Sequence, residues 1–193
     1  LLIRAESRIL YRESFDAADG GAPLAARGWR IHATPEQSRY EVREGRLEIT
    51  CLPVRYNGGY AEVEVPVCRR GMLEFDASIA IANAGNAHGS ALTMDLYNIG
   101  LLWHDYCRDW RRYFPEPVAR RMPGFSIEPV GHRSLARVEK GKWMHYRVVF
   151  DTDSDLVEYY LDDMEDPVFI DSGVPVLGRA EWQGGRIRFA NMG

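Results

Sequence analysis

Few cysteines, no long apolar run and no excess of positive charge mark this chain, and each absence removes a class of answer. Three cysteines, Cys51, Cys68 and Cys107, cannot all pair within 193 residues of one chain. Cys51 shares strand parity with Leu47 and Ile49, whereas Cys68 shares it with Glu62 and Glu64, so the two belong to opposite sheet faces and do not meet without a bulge. Three free thiols are expected, which favours a reducing compartment or export without disulfides. No apolar run approaches the ~20 residues that cross a bilayer, so no membrane span is expected. A formal net charge of -4 lacks the basic excess typical of nucleic-acid binders, and nucleic acid is not an expected partner. No Cys/His set has zinc spacing, and there is no phosphate-cradling loop, Gly-x-Ser-x-Gly elbow or dinucleotide fingerprint, which argues against zinc, serine hydrolysis and nucleotide chemistry. The chain opens Leu-Leu-Ile-Arg without Met and reads as a trimmed or mature form, from which any leader is already gone.

What is present is alternation. A hydrophobic fraction of 46% and a charged fraction of 27% are ordinary for a globular protein, and the length suits one all-β domain over residues 1–193. In Trp143 to Asp163, Met144, Tyr146, Val148 and Phe150 share one parity, Val157, Tyr159 and Leu161 share the next, and the acidic segment 151–155 between them is a turn. Similar short runs recur at 8–15, 29–33, 39–42, 46–52, 60–67, 72–82, 91–98, 101–106, 134–138, 168–170 and 186–190, with Glu44-Gly45, Asn57-Gly58-Gly59, Arg70-Gly71 and Gly184-Gly185 as turns. Many short strands punctuated by turn residues predict a two-sheet antiparallel β-sandwich or jelly roll. The piece 107–131, with four prolines, is expected to be a long functional loop.

Three groups of residues, in this order, resemble the concanavalin A-like lectin/glucanase superfamily. They are Phe15-Asp16 with Gly28-Trp29; Tyr40-Glu41-Val42 with Glu44-Gly45-Arg46-Leu47-Glu48-Ile49; and Trp143, Tyr146, the strand Val148 to Asp151 and Tyr160-Leu161-Asp162-Asp163. The resemblance implies a jelly roll whose concave sheet carries a glycan groove, a polysaccharide or oligosaccharide partner, and a secreted or cell-envelope location. It requires no cofactor; a structural calcium held by Glu13 and Asp16 is an analogy with other members. Such domains usually close with a strand after the Arg-Ile-Arg-Phe-like one, often paired with the first strand, and here the chain ends at Gly193. The expectation is an open edge, filled by another segment or by a second copy in a homodimer.

Two sets of residues are chemically equipped. Glu62 and Glu64 alternate with Val63 and Val65, and Glu74 and Asp76 alternate with Leu73, Phe75 and Ala77, so two adjacent strands are expected to show four carboxylates on one face. Glu74-x-Asp76-x-Ser78 is similar to part of the Glu-x-Asp-x-Glu strand of laminarinase-type retaining glycosidases, with Ser78 where the second catalytic carboxyl belongs. The second set, around Tyr97, Trp103, His104, Tyr106, Trp110 and Arg111, is the densest polar and aromatic cluster. Aromatic faces stack on sugar rings, Arg forks grip carboxylates, and Arg, His and Tyr together suit β-elimination from a uronate. The leading expectation is saccharide binding through Tyr97, Trp103, Trp110 and Arg111, with Glu62, Glu74 and Asp76 accepting hydroxyls. The alternatives are a lyase using His104, Tyr106 and Arg111, a hydrolase using Glu74 and Asp76, and an adhesion module that docks a partner chain.

Overall fold

In the computed structural model, residues 1–5, 8–15, 23–34, 38–51, 59–66, 68–79, 91–96, 99–104, 109–113, 133–172 and 185–192 are described. They form β1 (Leu2–Ala5), β2 (Arg8–Arg12), β3 (Arg30–His32), β4 (Ser38–Arg43), β5 (Arg46–Cys51), β6 (Tyr60–Val65), β7 (Arg70–Ser78) and β8 (Ala91–Leu96). The chain continues with β9 (Ile99–His104), β10 (Asp109–Tyr113), β11 (Arg133–Arg137), β12 (Trp143–Asp151), β13 (Leu156–Leu161), β14 (Phe169–Ser172) and β15 (Gly185–Met192). The described residues contain no α-helix, only a turn of 3-10 helix at Leu24–Arg27.

Along β12 every second side chain is buried: Met144, Tyr146, Val148 and Phe150 lie inside, while Trp143 is exposed and His145, Arg147 and Val149 are half-covered. β13 repeats the pattern with Val157, Tyr159 and Leu161. The two strands pair antiparallel from Tyr146↔Leu161 to Asp151↔Leu156. Their turn closes on Asp151, whose Oδ1 accepts the backbone N–H of Asp153 at 2.9 Å. The β4–β5 hairpin turns through Glu44 and Gly45, both at positive φ (49° and 76°), the conformation of a primed two-residue turn.

Three sheets result. A six-stranded sheet runs β14-β13-β12-β7-β1-β2, a seven-stranded sheet runs β11-β10-β9-β8-β15-β6-β3, and β4-β5 form a two-stranded ribbon. The inner faces of the two large sheets meet in one hydrophobic core, with Leu73, Phe75, Tyr146, Val148 and Tyr159 from the first against Val63, Leu101, Trp103, Trp110 and Ile187 from the second. Tyr146 is the hinge of this contact: its ring stacks on Phe75 at 5.2 Å and takes edges from Trp103 at 5.6 Å and Trp110 at 5.0 Å. Burying each such side chain contributes ~1.5–3 kcal/mol, and each aromatic pair ~0.5–1.5 kcal/mol more.

Three sequence expectations change here. β6 and β7 follow each other in the chain but belong to different sheets, so Glu62 and Glu64 lie on the opposite side of the sandwich from Glu74 and Asp76. Residues 109–113, expected within a long loop, form a strand hydrogen-bonded to β9 and β11. Finally, β1 is paired on both sides, by β2 and β7, and β15 lies between β8 and β6. The first strand therefore offers no vacant edge for a closing strand; among the described residues the edges of the two large sheets are β2, β14, β3 and β11.

Candidate functional site

Each large sheet presents a polar outer face, and the two faces differ in how their charges are satisfied. On the six-stranded sheet, β7 and β12 pair so that Glu74 stands opposite Arg147, and Asp76 opposite His145. Arg147 donates to Glu74 Oε1 through Nη2 at 2.6 Å and Nε at 3.0 Å, and its Nη1 reaches the Met164 carbonyl at 3.3 Å. His145 bridges the two carboxylates, Nδ1 to Asp76 Oδ1 at 2.8 Å and Nε2 to Glu74 Oε1 at 3.2 Å. Burial works against ionisation of Glu74, but the hydrogen bonds and charges of Arg147 and His145 outweigh it and lower its pKa. Burial likewise pulls His145 down, and Asp76 and Glu74 outweigh that and raise it. The network closes on itself: cations and carboxylates on neighbouring strands satisfy each other.

The seven-stranded sheet builds a different cluster. On β6, Glu62 lies opposite Arg188 of β15 and Arg30 of β3, while Glu64 lies opposite Arg186. Glu62 has the parity of the outer face, yet its side chain is only 8% exposed because guanidinium groups roof it. Arg188 donates to Oε2 through Nη2 at 3.0 Å and Nε at 3.3 Å. Arg186 stands 3.7 Å from the same oxygen, and Arg30 and His32 stand 3.4 Å and 3.6 Å from Oε1. Burial opposes ionisation of Glu62, and the hydrogen bond and charge of Arg188, then Arg186 and Arg30, overcome it and hold its pKa down. Tyr60 supports the group from below: Arg188 lies 4.3 Å over its ring centroid, and His32 stacks on the ring at 4.5 Å.

The residues singled out from sequence are therefore divided. Glu62 lies on the seven-stranded sheet, Glu74 and Asp76 on the other. Trp103 and Trp110, expected to stack on a ligand, are 1% and 0% exposed and belong to the core, since they occupy the inward parity of β9 and β10 where the second sheet covers them. His104 and Arg111 take the opposite parity on those strands, and their side chains lie outside the described residues, as do Tyr97, Tyr106 and Asp16. Glu13, considered as a calcium ligand, is a buried ion-pair acceptor: Arg27 Nη1 donates to Oε1 at 2.8 Å and the Trp29 indole N–H to Oε2 at 3.3 Å. Among the described residues no group of acidic, His or Cys side chains is arranged to hold a metal ion. Sequence reasoning missed Arg30, Arg186, Arg188, His145 and Arg147. Their signal was the polar half of Arg30-x-His32, Arg186-x-Arg188 and Trp143-x-His145-x-Arg147, in strands read only for their apolar half.

No protein-family model and no curated protein sequence matches the chain. Among solved structures, a sialidase superposes with a TM-score of 0.64 at 16% identity, over 97% of this chain and 16% of the sialidase. The chain thus spans a small part of that protein's length. An endo-acting O-glycanase of the human gut microbiota, of the kind that initiates mucin breakdown, gives 0.58 at 13% identity, over 95% of this chain and 85% of the glycanase. An endo-1,3-beta-glucanase from Streptomyces sioyaensis gives 0.53 at 11% identity, over 94% and 83%. At these identities the likeness is one of fold, and the fold is the two-sheet antiparallel β-sandwich expected from the sequence.

Proposed function

We propose that this protein binds a saccharide on the outer face of its seven-stranded sheet, around Glu62, Arg30, Arg186, Arg188 and His32. The observation that carries the reading is the roofed Glu62: an outward carboxylate, 8% exposed, that holds three guanidinium groups and a histidine in fixed positions at a solvent-facing surface. Preorganised donors of this kind suit a polyhydroxylated ligand, because the cost of ordering the side chains is already met in the free protein. The fold likeness to glycan-acting proteins supports the same substrate class.

Binding is favoured over cleavage. A retaining hydrolase needs a carboxyl with raised pKa beside a second carboxylate. Glu74 has its pKa lowered by Arg147 and His145, and Glu62 has its own lowered by the arginines. Both are built to stay ionised. The test is retention of the protein by immobilised neutral and acidic polysaccharides, with ultraviolet absorbance and reducing ends followed in the same samples. Retention without new product is the expected outcome. Unsaturated product would make the protein a lyase, new reducing ends alone a hydrolase, and the absence of both retention and turnover would refute the saccharide reading.

A further inference from the structure

Among the described side chains, the cluster on the seven-stranded sheet carries more cation than carboxylate, with Asp95 of β8 in register with Arg188 on its far side from Glu62. Arg30, Arg186 and Arg188 face Glu62 and Glu64, and the five side chains leave one positive charge in surplus before His32 is counted. The surplus is concentrated in Arg186. Its side chain is 54% exposed, and its one ion pair among the described residues is to Glu62 at 3.7 Å, which is too long for a hydrogen bond. Its donor fork is held near a fixed position by charge attraction and donates to no described side chain.

Arg30 adds a second donor set. It is 56% exposed, and its hydrogen bond to Glu64 at 3.0 Å joins two solvent-facing side chains, Glu64 being 76% exposed. An exposed pair of that kind contributes little to folding, so Arg30 can exchange Glu64 for a ligand anion at small cost. Arg188, by contrast, is committed to Glu62 and to the ring of Tyr60. β6 lies between β15 and β3, so Arg186 and Arg30 reach toward Glu62 from its two sides and flank a small area that holds the shielded Glu62 and the exposed, displaceable Glu64.

From this geometry we infer that the saccharide is an acidic one, whose carboxylate is received by Arg186 with Arg30 as the second cation; this rests on the saccharide reading of the same face. A planar carboxylate matches a guanidinium fork in two-point fashion, which an ammonium or a lone hydroxyl donor does not reproduce. The Glu62 carboxylate sets the register. It fixes the guanidinium groups while leaving Arg186 without a hydrogen bond to a described residue.

The test uses the whole chain in affinity electrophoresis through gels containing polygalacturonate, alginate or hyaluronate. Each is run beside the same polymer with its carboxylates reduced to alcohols, and beside dextran sulfate. At least one acidic polymer is expected to retard the protein, and reducing its carboxylates, or the substitution Arg186→Gln, is expected to weaken retention by about tenfold or more. Arg30→Gln weakens it less. Arg186→Lys falls between the wild type and Arg186→Gln, because it keeps the charge and loses the fork. Arg186 donates no hydrogen bond to a described residue, so its variants keep the fold, which circular dichroism checks. Equal retardation by acidic and reduced polymers overturns the acidic class and leaves the saccharide reading standing. Equal retardation by dextran sulfate marks a general polyanion surface and also overturns it. Retention that survives both Arg186→Gln and Arg30→Gln removes the assignment to this cluster. No retardation by any polymer refutes the saccharide reading itself.

Discussion

His145 shows how one side chain joins two strands through charge. It lies between Asp76 and Glu74 of β7, with Arg147 two residues along its own strand and its backbone N–H donating to Asp162 Oδ1 at 2.8 Å. Its pKa is raised in the folded state, so protonated His145 stabilises the fold fully below its unfolded value near 6.5, and the contribution is lost as pH rises through the folded pKa. Glu74 has the opposite sign: its pKa is lowered, and its contribution is present above 4.5 and lost as pH falls through the folded pKa. Both charges are in place between these limits. The melting-temperature difference between the wild type and His145→Gln should be largest from about pH 4.5 to 6.5 and shrink toward alkaline pH. A difference that stays constant with pH would mean that packing, not charge, is what His145 supplies. The alternation in Trp143-x-His145-x-Arg147 marks these residues as outward in the sequence, but not their partners, because register between β12 and β7 is a tertiary fact.

At the scale of the element, two turns were legible and strand partnership was not; Arg70-Gly71, expected as a turn, instead open β7 in register with Asp151 and Phe150. Glu44-Gly45 and the acidic 151–155 segment are turns as their residue types predict, since the first needs positive φ and the second an Asp side chain to cap it. Gly59 is the stricter case. It has φ +70°, and a Cβ built there would stand 2.3 Å from Ala33 Cβ and 2.9 Å from the His32 carbonyl, just beyond β3. Its own carbonyl accepts the Tyr40 hydroxyl at 3.1 Å. Gly59→Ala is therefore expected to cost ~1–3 kcal/mol from the left-handed backbone alone, and more from the contact with Ala33, as a lower urea midpoint with unchanged slope. An unchanged midpoint would show that β3 moves aside freely. β10 was missed for a related reason: Asp109-Trp110-Arg111-Arg112-Tyr113 has one aliphatic-free, charge-rich pattern next to a proline-rich segment, and its strand character comes from the ladders of β9 and β11 on either side.

At the scale of the whole molecule, the two polar faces are separated by the full thickness of the sandwich, and this separates their roles. Glu74→Gln with Asp76→Asn is expected to leave polysaccharide retention unchanged, whereas Arg188→Gln, which releases Glu62, should reduce it by about tenfold. The reverse outcome in the same gel assay would move the ligand to the six-stranded sheet. The sequence by itself determined the all-β class, most strand positions and the inward half of strands such as β6, β7, β12 and β13, because a period of two in hydrophobicity is a local property that a strand in a two-sheet fold carries. It also marked Glu62, Glu74 and Asp76 as outward. Only the tertiary structure decided that Glu62 and Glu74 lie on different sheets, that Trp103 and Trp110 are covered, and that Arg30, Arg186 and Arg188 converge on one carboxylate. The physical reason is distance along the chain: Arg30 and Arg188 meet at Glu62 through ladders between strands far apart in sequence, and alternation within one strand carries no information about which strand will pair beside it.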